Sequence, residues 1–201
     1  MHYFTHRELL DLLTTTHRHS RIHHLLMLVS VAHGLRVSEA IALTVDDVQN
    51  GYLRCNRLKG SRQQLQRLHT STSPVLDESA LAVHAGMLRN AGQTRLFNLS
   101  RQRCDQLIRR YGAEAGIASE NLHWHTFKHT TAVLVFGESV SLGQVQQILG
   151  HQDVRSTLMY LSEYDAQKAI ESRDRALTAI AENIRAHSRD DRHGGSPEPW
   201  S

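Results

Sequence analysis

The most informative segment of the chain lies near its C-terminal end and reads Leu149-Gly150-His151-Gln152-Asp153-Val154-Arg155-Ser156-Thr157-Leu158-Met159-Tyr160. Its histidine precedes its tyrosine by nine residues. A free phenol has a pKa of about 10, so roughly one in a thousand is ionised at neutral pH. A tyrosine therefore becomes a useful nucleophile only beside cations or a base. The rest of the sequence must supply those groups.

Most of the chain upstream of this segment has a helical pattern. Thr5-His6-Arg7-Glu8 forms a capping box, which predicts a first helix over about 5–15. Ser20 can cap a second helix that ends at His33-Gly34. Apolar spacing and capping residues predict further helices over about 36–43, 77–90, 100–115, 125–136, 141–150 and 166–186, and one around Tyr160.

One region has a different pattern. Residues 52–58 and 64–69 alternate apolar and polar side chains, and Lys59-Gly60-Ser61-Arg62 lies between them. This arrangement predicts an antiparallel hairpin with a basic turn. The fold class expected is therefore mostly α with a small antiparallel β-sheet (α+β). Residues 187–201 are polar and rich in glycine and proline, which predicts a disordered tail.

Composition narrows the class of protein. The chain has 201 residues, of which 40% are hydrophobic, enough for one sizeable core. Its formal charge of +3 permits a polyanionic partner. No apolar run approaches the roughly 20 residues that span a bilayer, and the two cysteines stand outside any CxxC pattern. A soluble, intracellular protein with no membrane partner is expected.

Five features follow one another along the chain: Gly34-Leu35-Arg36-Val37-Ser38-Glu39, Lys59, His125-Thr126-Phe127-Lys128-His129, Leu149-Gly150-His151 and Tyr160. Their order and spacing resemble the catalytic domain of the tyrosine recombinases, the family of phage integrases and bacterial site-specific recombinases. The resemblance covers about residues 5–165. It implies a recombinase catalytic domain over 1–186, and an enzyme that cuts and rejoins duplex DNA at specific sites through a 3′-phosphotyrosyl intermediate.

The resemblance also implies a role for each catalytic residue. Tyr160 would attack the phosphodiester, and His125 would accept its proton or hydrogen-bond to it. Arg36 would donate two hydrogen bonds to the non-bridging oxygens, and His151 would donate one more. Lys59 would protonate the departing 5′ oxygen. Because the phosphotyrosyl ester conserves the energy of the broken bond, no cofactor or metal is implied.

Two residues near these catalytic groups need separate treatment. Glu39 lies one turn after Arg36 and is expected to brace the site. Lys128 stands where the family prefers arginine, so it keeps the positive charge and loses the two-pronged guanidinium. Lys128 either substitutes for that arginine on the phosphate or leaves a weakened site; the filled positions elsewhere favour substitution.

The resemblance implies duplex DNA as the partner and a homo-tetramer assembled on two DNA sites, in a cytoplasmic, nucleoid-associated protein. Basic side chains near the catalytic positions are candidate DNA contacts: Arg57, Arg62, Arg67, His129 and Arg155. A separate N-terminal core-binding domain is expected to be absent, which describes either a catalytic domain alone or a minimal member. The helix over 166–186 could dock on a neighbouring subunit or on its own domain.

Several alternatives remain open at this level. A DNA-binding regulator could keep the fold without the chemistry, and a relaxing topoisomerase of the type IB kind could share the nucleophile. Tyr164 competes with Tyr160, although the nine-residue spacing favours Tyr160. His125 and His129 have the i, i+4 spacing of a zinc pair, but no third ligand is evident.

Overall fold

The computed structural model describes residues 2–57, 64–137 and 142–149. Within these ranges the helices are α1 (His6–His19), α2 (Arg21–Ala32), α3 (Val37–Ile41), α4 (Ser79–Asn90), α5 (Arg101–Glu114), α6 (His125–Gly137) and α7 (Leu142–Leu149). Two 3-10 turns lie at Val45–Asp47 and Ser119–Asn121, and the strands are β1 (Val48–Gln49), β2 (Tyr52–Cys55) and β3 (Gln64–Arg67). The predicted fold class, mostly α with a small antiparallel sheet, is confirmed.

The start of α1 follows the predicted capping box. The Thr5 hydroxyl accepts a hydrogen bond from the Glu8 N–H at 3.2 Å, and the Glu8 carboxylate accepts one from the Thr5 N–H at 2.8 Å. The two bonds give the Thr5 and Glu8 N–H groups, which have no partner within the helix, an acceptor at its start. One face of α1 then buries Leu12 and Leu13 against α2 and α5.

Helix α2 is the centre of the core. Every side chain from His24 to Val31 is buried, so the helix is covered on all sides rather than along one stripe. It contacts α1, α3 and α6. Gly34 ends this part of the chain with φ at +59°, and an added Cβ there would lie 3.0 Å from Leu149 Cδ2. The turn after α2 therefore packs directly on the end of α7.

The three strands pair in the order β1-β2-β3, all antiparallel. In β2 and β3 the register joins Tyr52 to Arg67 and Cys55 to Gln64, which confirms the predicted hairpin strands. Leu53 and Cys55 face the core, whereas Tyr52 and Arg54 are exposed. Strand β1 was not predicted because two residues are too few to show an alternating pattern.

Several predictions lie outside the described residues: the hairpin turn with Lys59 and Arg62, the segment with His151, Arg155 and Tyr160, the helix over 166–186 and the tail over 187–201. Both cysteines are buried free thiols, and burial raises the pKa of Cys55 to about 12 and that of Cys104 to about 11. In the described ranges no helix has the length and apolar character needed to cross a bilayer.

Candidate active site

Arg36 and Glu39 begin helix α3 as one bonded unit. The Glu39 carboxylate accepts a hydrogen bond from the Arg36 backbone N–H at 2.8 Å and another from Arg36 Nη1 at 3.0 Å. Glu39 is only 2% exposed, while the Arg36 side chain is 36% exposed. The buried carboxylate thus aims a partly exposed guanidinium outward, which is the arrangement that the predicted bracing role requires.

Arg57 corrects one prediction. It was expected to contact DNA, yet its side chain is fully buried and donates to the carbonyl oxygens of Gly34, His33 and Ile148 at 3.0, 2.7 and 2.6 Å. Its Nη1 also lies 3.3 Å from Glu39 Oε2. The period-2 alternation of a strand places position 57 on the same inward face as Leu53 and Cys55. That alternation was the signal in the sequence that could have revealed its burial.

Two arginines together keep Glu39 ionised. Burial acts to raise the pKa of the Glu39 carboxyl. The hydrogen bond from the Arg36 backbone and the positive charges of Arg57 and Arg36 act in the opposite direction and outweigh it, so the pKa lies below its ordinary value. The site therefore contains a stable anion beneath its cations, and this anion limits the repulsion between them.

His125 is the first residue of helix α6 and is exposed. Desolvation lowers the pKa of His125, and the nearby charges of Lys128 and Arg36 lower it further. The imidazole is therefore neutral at neutral pH, the state that can accept a proton. His129 stacks edge-on against His125, with ring centroids 4.9 Å apart, and burial with neighbouring histidines lowers its pKa to about 4. His129 thus brings no positive charge to its predicted DNA contact.

Lys128 differs most from expectation. It is 1% exposed, and its Nζ donates a hydrogen bond to the Leu149 carbonyl oxygen at 2.8 Å. Burial lowers the pKa of this lysine to about 7, with further lowering from Arg36 and Arg57. The contact with a phosphate that the sequence predicted is replaced in this structure by a contact with the protein's own backbone.

The lowered pKa of Lys128 predicts a dependence of stability on pH. An unfolded lysine binds its proton up to about pH 10.4, whereas folded Lys128 releases it near pH 7, so the free energy of unfolding should rise between these values. The rise should approach about 1 kcal/mol per pH unit. Urea denaturation of wild type and Lys128→Met, from pH 6 to 10, measures it.

The difference in the free energy of unfolding between wild type and Lys128→Met isolates the contribution of Lys128. The buried thiols ionise only in the unfolded state above about pH 8.5, which destabilises both proteins equally. We expect the stability of wild type relative to Lys128→Met to increase as the pH rises. A difference that stays constant across the range would mean that Lys128 titrates normally in the folded protein.

A cleft of about 460 Å³ opens beside these residues. Arg36 and His125, which the sequence predicted as partners, line it together. Six further residues line it, and none was predicted as a site residue: Val37, Ser38, Arg101, Asp105, His123 and Trp124. Arg101 and Asp105 come from α5, which reaches the site through its packing on α3. No local spacing links α5 to Arg36, so the sequence carried no signal that Arg101 and Asp105 would line the cleft.

Of the other predicted site residues, Arg67 alone lies within the described ranges. Arg67 is exposed at the end of β3, on the solvent side of the sheet. Lys59, Arg62, His151, Arg155, Tyr160 and the competing Tyr164 lie outside the described residues. Within the described part of the chain, no three His, Cys, Asp or Glu side chains gather as a metal site.

The chain is similar to proteins of one known family. Residues 2–167 match the family model described as phage integrase family. Tyrosine recombinase XerD of Staphylococcus epidermidis is 31% identical over 137 residues, which cover 64% of this chain and 46% of the relative. The chain thus spans about half the length of this curated relative.

Two solved structures share the fold. The XerH site-specific recombinase in a post-cleavage complex with a palindromic difH substrate has a TM-score of 0.68 at 22% identity, covering 85% of this chain and 52% of that one. A lambda integrase tetramer bound to a Holliday junction has a TM-score of 0.62 at 18% identity, covering 79% and 47%. Because the family model matches residues 2–167, most of the chain, the chain belongs to the phage integrase family.

Proposed function

We propose that the chain is a site-specific DNA recombinase that cuts and rejoins duplex DNA, with Tyr160 as its nucleophile. The observation that carries the proposal is the cleft in which a braced arginine, Arg36, stands beside a neutral histidine, His125. A guanidinium fork matches two phosphate oxygens, and a neutral imidazole beside it can take a proton. Membership of the phage integrase family supports the same chemistry.

The strand-cutting step would proceed in the cleft by one displacement. The Tyr160 oxygen forms a bond to phosphorus while the bond from phosphorus to the 5′ oxygen breaks. His125 accepts the phenol proton, and Lys59 supplies a proton to the departing 5′ oxygen. Arg36 and His151 donate to the non-bridging oxygens and stabilise the charge that builds on them. Reversal of the step by a new 5′ hydroxyl rejoins the strand, so no energy source is consumed.

The DNA contacts proposed from the sequence now form a smaller set. Arg67 is exposed on the sheet and available to a phosphate, and Arg62 and Arg155 remain candidates. Arg101 joins them because it lines the cleft beside Arg36. Contacts of this kind position a protein on DNA and make its affinity depend on salt, while base specificity needs other side chains.

The proposed recombinase function also implies an assembly and a location in the cell. Two DNA sites have four strands to exchange, which calls for four active sites and hence a homo-tetramer. The lambda integrase tetramer on a Holliday junction is an assembly of this size in a protein with the same fold. We place the protein in the cytoplasm at the nucleoid, because that is where its DNA substrate lies.

Trapping the covalent intermediate tests the proposal. Wild type, Tyr160→Phe and Tyr164→Phe are each incubated with supercoiled and nicked plasmid that carries the DNA flanking the gene. Denaturing electrophoresis then detects protein linked to DNA. We expect an adduct with wild type and Tyr164→Phe and none with Tyr160→Phe, because phenylalanine lacks the attacking oxygen.

Each other outcome has a defined meaning. No adduct with any protein would contradict the recombinase and leave a DNA-binding regulator. An adduct that survives in Tyr160→Phe would assign the nucleophile elsewhere. Relaxation of every supercoiled plasmid, whatever its sequence, would indicate a topoisomerase of the type IB kind.

A further inference from the structure

We propose that Lys128 is a positioning residue: with Arg57 it holds the last carbonyl groups of α7, and so sets where the chain enters Gly150 and His151. This inference rests on the proposed function, in which His151 contacts the scissile phosphate. It assigns Lys128 a task that differs from clamping the phosphate itself.

Side chains from other parts of the fold hold the end of α7. The last carbonyls of any helix lack partners within that helix. Here three consecutive carbonyl oxygens receive donors from β3, from the residue at position 57 and from α6. The pairs are Gln64 Nε2 to Gln147 O, Arg57 Nη2 to Ile148 O at 2.6 Å, Gln66 Nε2 to Ile148 O at 3.3 Å, and Lys128 Nζ to Leu149 O at 2.8 Å. The positive charge of Arg57, and that of Lys128 when it is protonated, also complement the negative end of the helix dipole.

Lys128 can act as an anchor because α6 is itself firmly held. The Thr131 hydroxyl donates to the Val31 carbonyl of α2 at 2.5 Å, and the Thr130 hydroxyl accepts from the Phe4 N–H at 2.9 Å. Both threonines are buried. Contacts within the core therefore fix the part of α6 that carries Lys128.

The same contacts tie the end of α7 to the start of α3. Arg57 binds the carbonyl of Gly34 as well as that of Ile148, and Leu149 packs against the Gly34 turn. Gly34 lies two residues before Arg36 in the chain. One connected set of contacts thus fixes the turn that leads to Arg36 and the residue Leu149, which precedes Gly150 and His151. In the proposed function Arg36 and His151 must contact the same phosphate.

The protonation of Lys128 suits a hydrogen bond to the Leu149 carbonyl better than neutralisation of the charge on a phosphate. Its pKa of about 7 means that the ammonium is only partly protonated at neutral pH. A neutral amine still donates a hydrogen bond to a carbonyl oxygen, whereas charge neutralisation of a phosphate needs the cation. The contact with Leu149 therefore persists in both protonation states.

A substrate without charge on its phosphate separates the two roles. The plasmid assay first maps the cleavage site, and synthetic duplexes then carry either the ordinary phosphate or a neutral methylphosphonate there. We compare wild type, Arg36→Ala, Lys128→Met and Lys128→Gln. On the ordinary phosphate, Lys128→Met should cleave about tenfold to a hundredfold more slowly, because small misplacements of catalytic groups cost this much. Lys128→Gln should lose less, because its amide can still donate to the Leu149 carbonyl.

The methylphosphonate decides between the roles. Because a methylphosphonate carries no negative charge, its cleavage depends less on a cation beside the phosphorus. It should therefore reduce the defect of Arg36→Ala relative to wild type and leave the defects of the Lys128 variants unchanged. The salt dependence of DNA binding by Lys128→Met should also match wild type, because no phosphate contact is lost. A Lys128 defect that the methylphosphonate relieves as much as it does for Arg36→Ala, or a salt slope lower by about one, would overturn the inference. Failure of wild type on both duplexes would instead refute the proposed recombinase.

Discussion

Arg36→Ala should reduce the rate of covalent adduct formation by at least about a hundredfold, and up to about a thousandfold. Removing one preorganised donor from developing negative charge costs this much in other enzymes, and Arg36 offers two donors and a full charge. The defect should appear in the rate and only weakly in DNA affinity, because most of the affinity comes from contacts elsewhere. Single-turnover cleavage and filter binding on the same DNA separate the two effects.

The structure offers controls for this substitution. Glu39 keeps its contact with Arg57 when Arg36 is removed, so the variant should remain folded, which urea denaturation checks. Arg103→Ala removes an exposed arginine from α5 that does not line the cleft, and it should cleave at nearly the wild-type rate. Arg36→Lys keeps the charge without the fork and should fall between the two. An Arg36→Ala protein that cleaves as fast as Arg103→Ala would remove Arg36 from the mechanism.

Arg57→Ala should lower the free energy of unfolding by about 3–5 kcal/mol, the usual cost of removing one partner from a buried ion pair. The substitution takes a charge partner from Glu39, removes the Arg57 donors from the carbonyls of His33 and Gly34, and leaves the Ile148 carbonyl with Gln66 Nε2 as a donor. Each buried acceptor left without a donor adds its own penalty. Urea denaturation at constant pH measures the loss.

Arg54→Ala is the matched control for Arg57→Ala. It removes the same kind of side chain from the exposed face of β2, three residues earlier. Surface changes of this sort alter stability by about 0.5 kcal/mol or less. Equal losses for the two variants would mean that Arg57 is not the buried anchor described above and would return it to the candidate DNA contacts.

Much of the fold followed from the sequence by local rules. The capping box at Thr5 predicted the start of α1, and alternation predicted the strands around the basic turn. The spacing of Arg36 and Glu39 put them one turn apart and predicted that Glu39 would brace the site, and in the structure the two side chains are hydrogen-bonded. These predictions succeeded because hydrogen bonds and side-chain pairs within a helix or hairpin join residues only a few positions apart.

The sequence by itself determined the order of the helices in the described residues, the two longer strands, the family, and the placement of Arg36 and Glu39 one helical turn apart. Only the tertiary structure decided that Arg57 turns inward, that Lys128 binds the end of α7, and that Arg101 of α5 lines the cleft. The type and charge of a residue do not state its burial. Whether an arginine or lysine meets water or a buried carbonyl depends on which distant element packs over it, and that is settled only when the whole core forms.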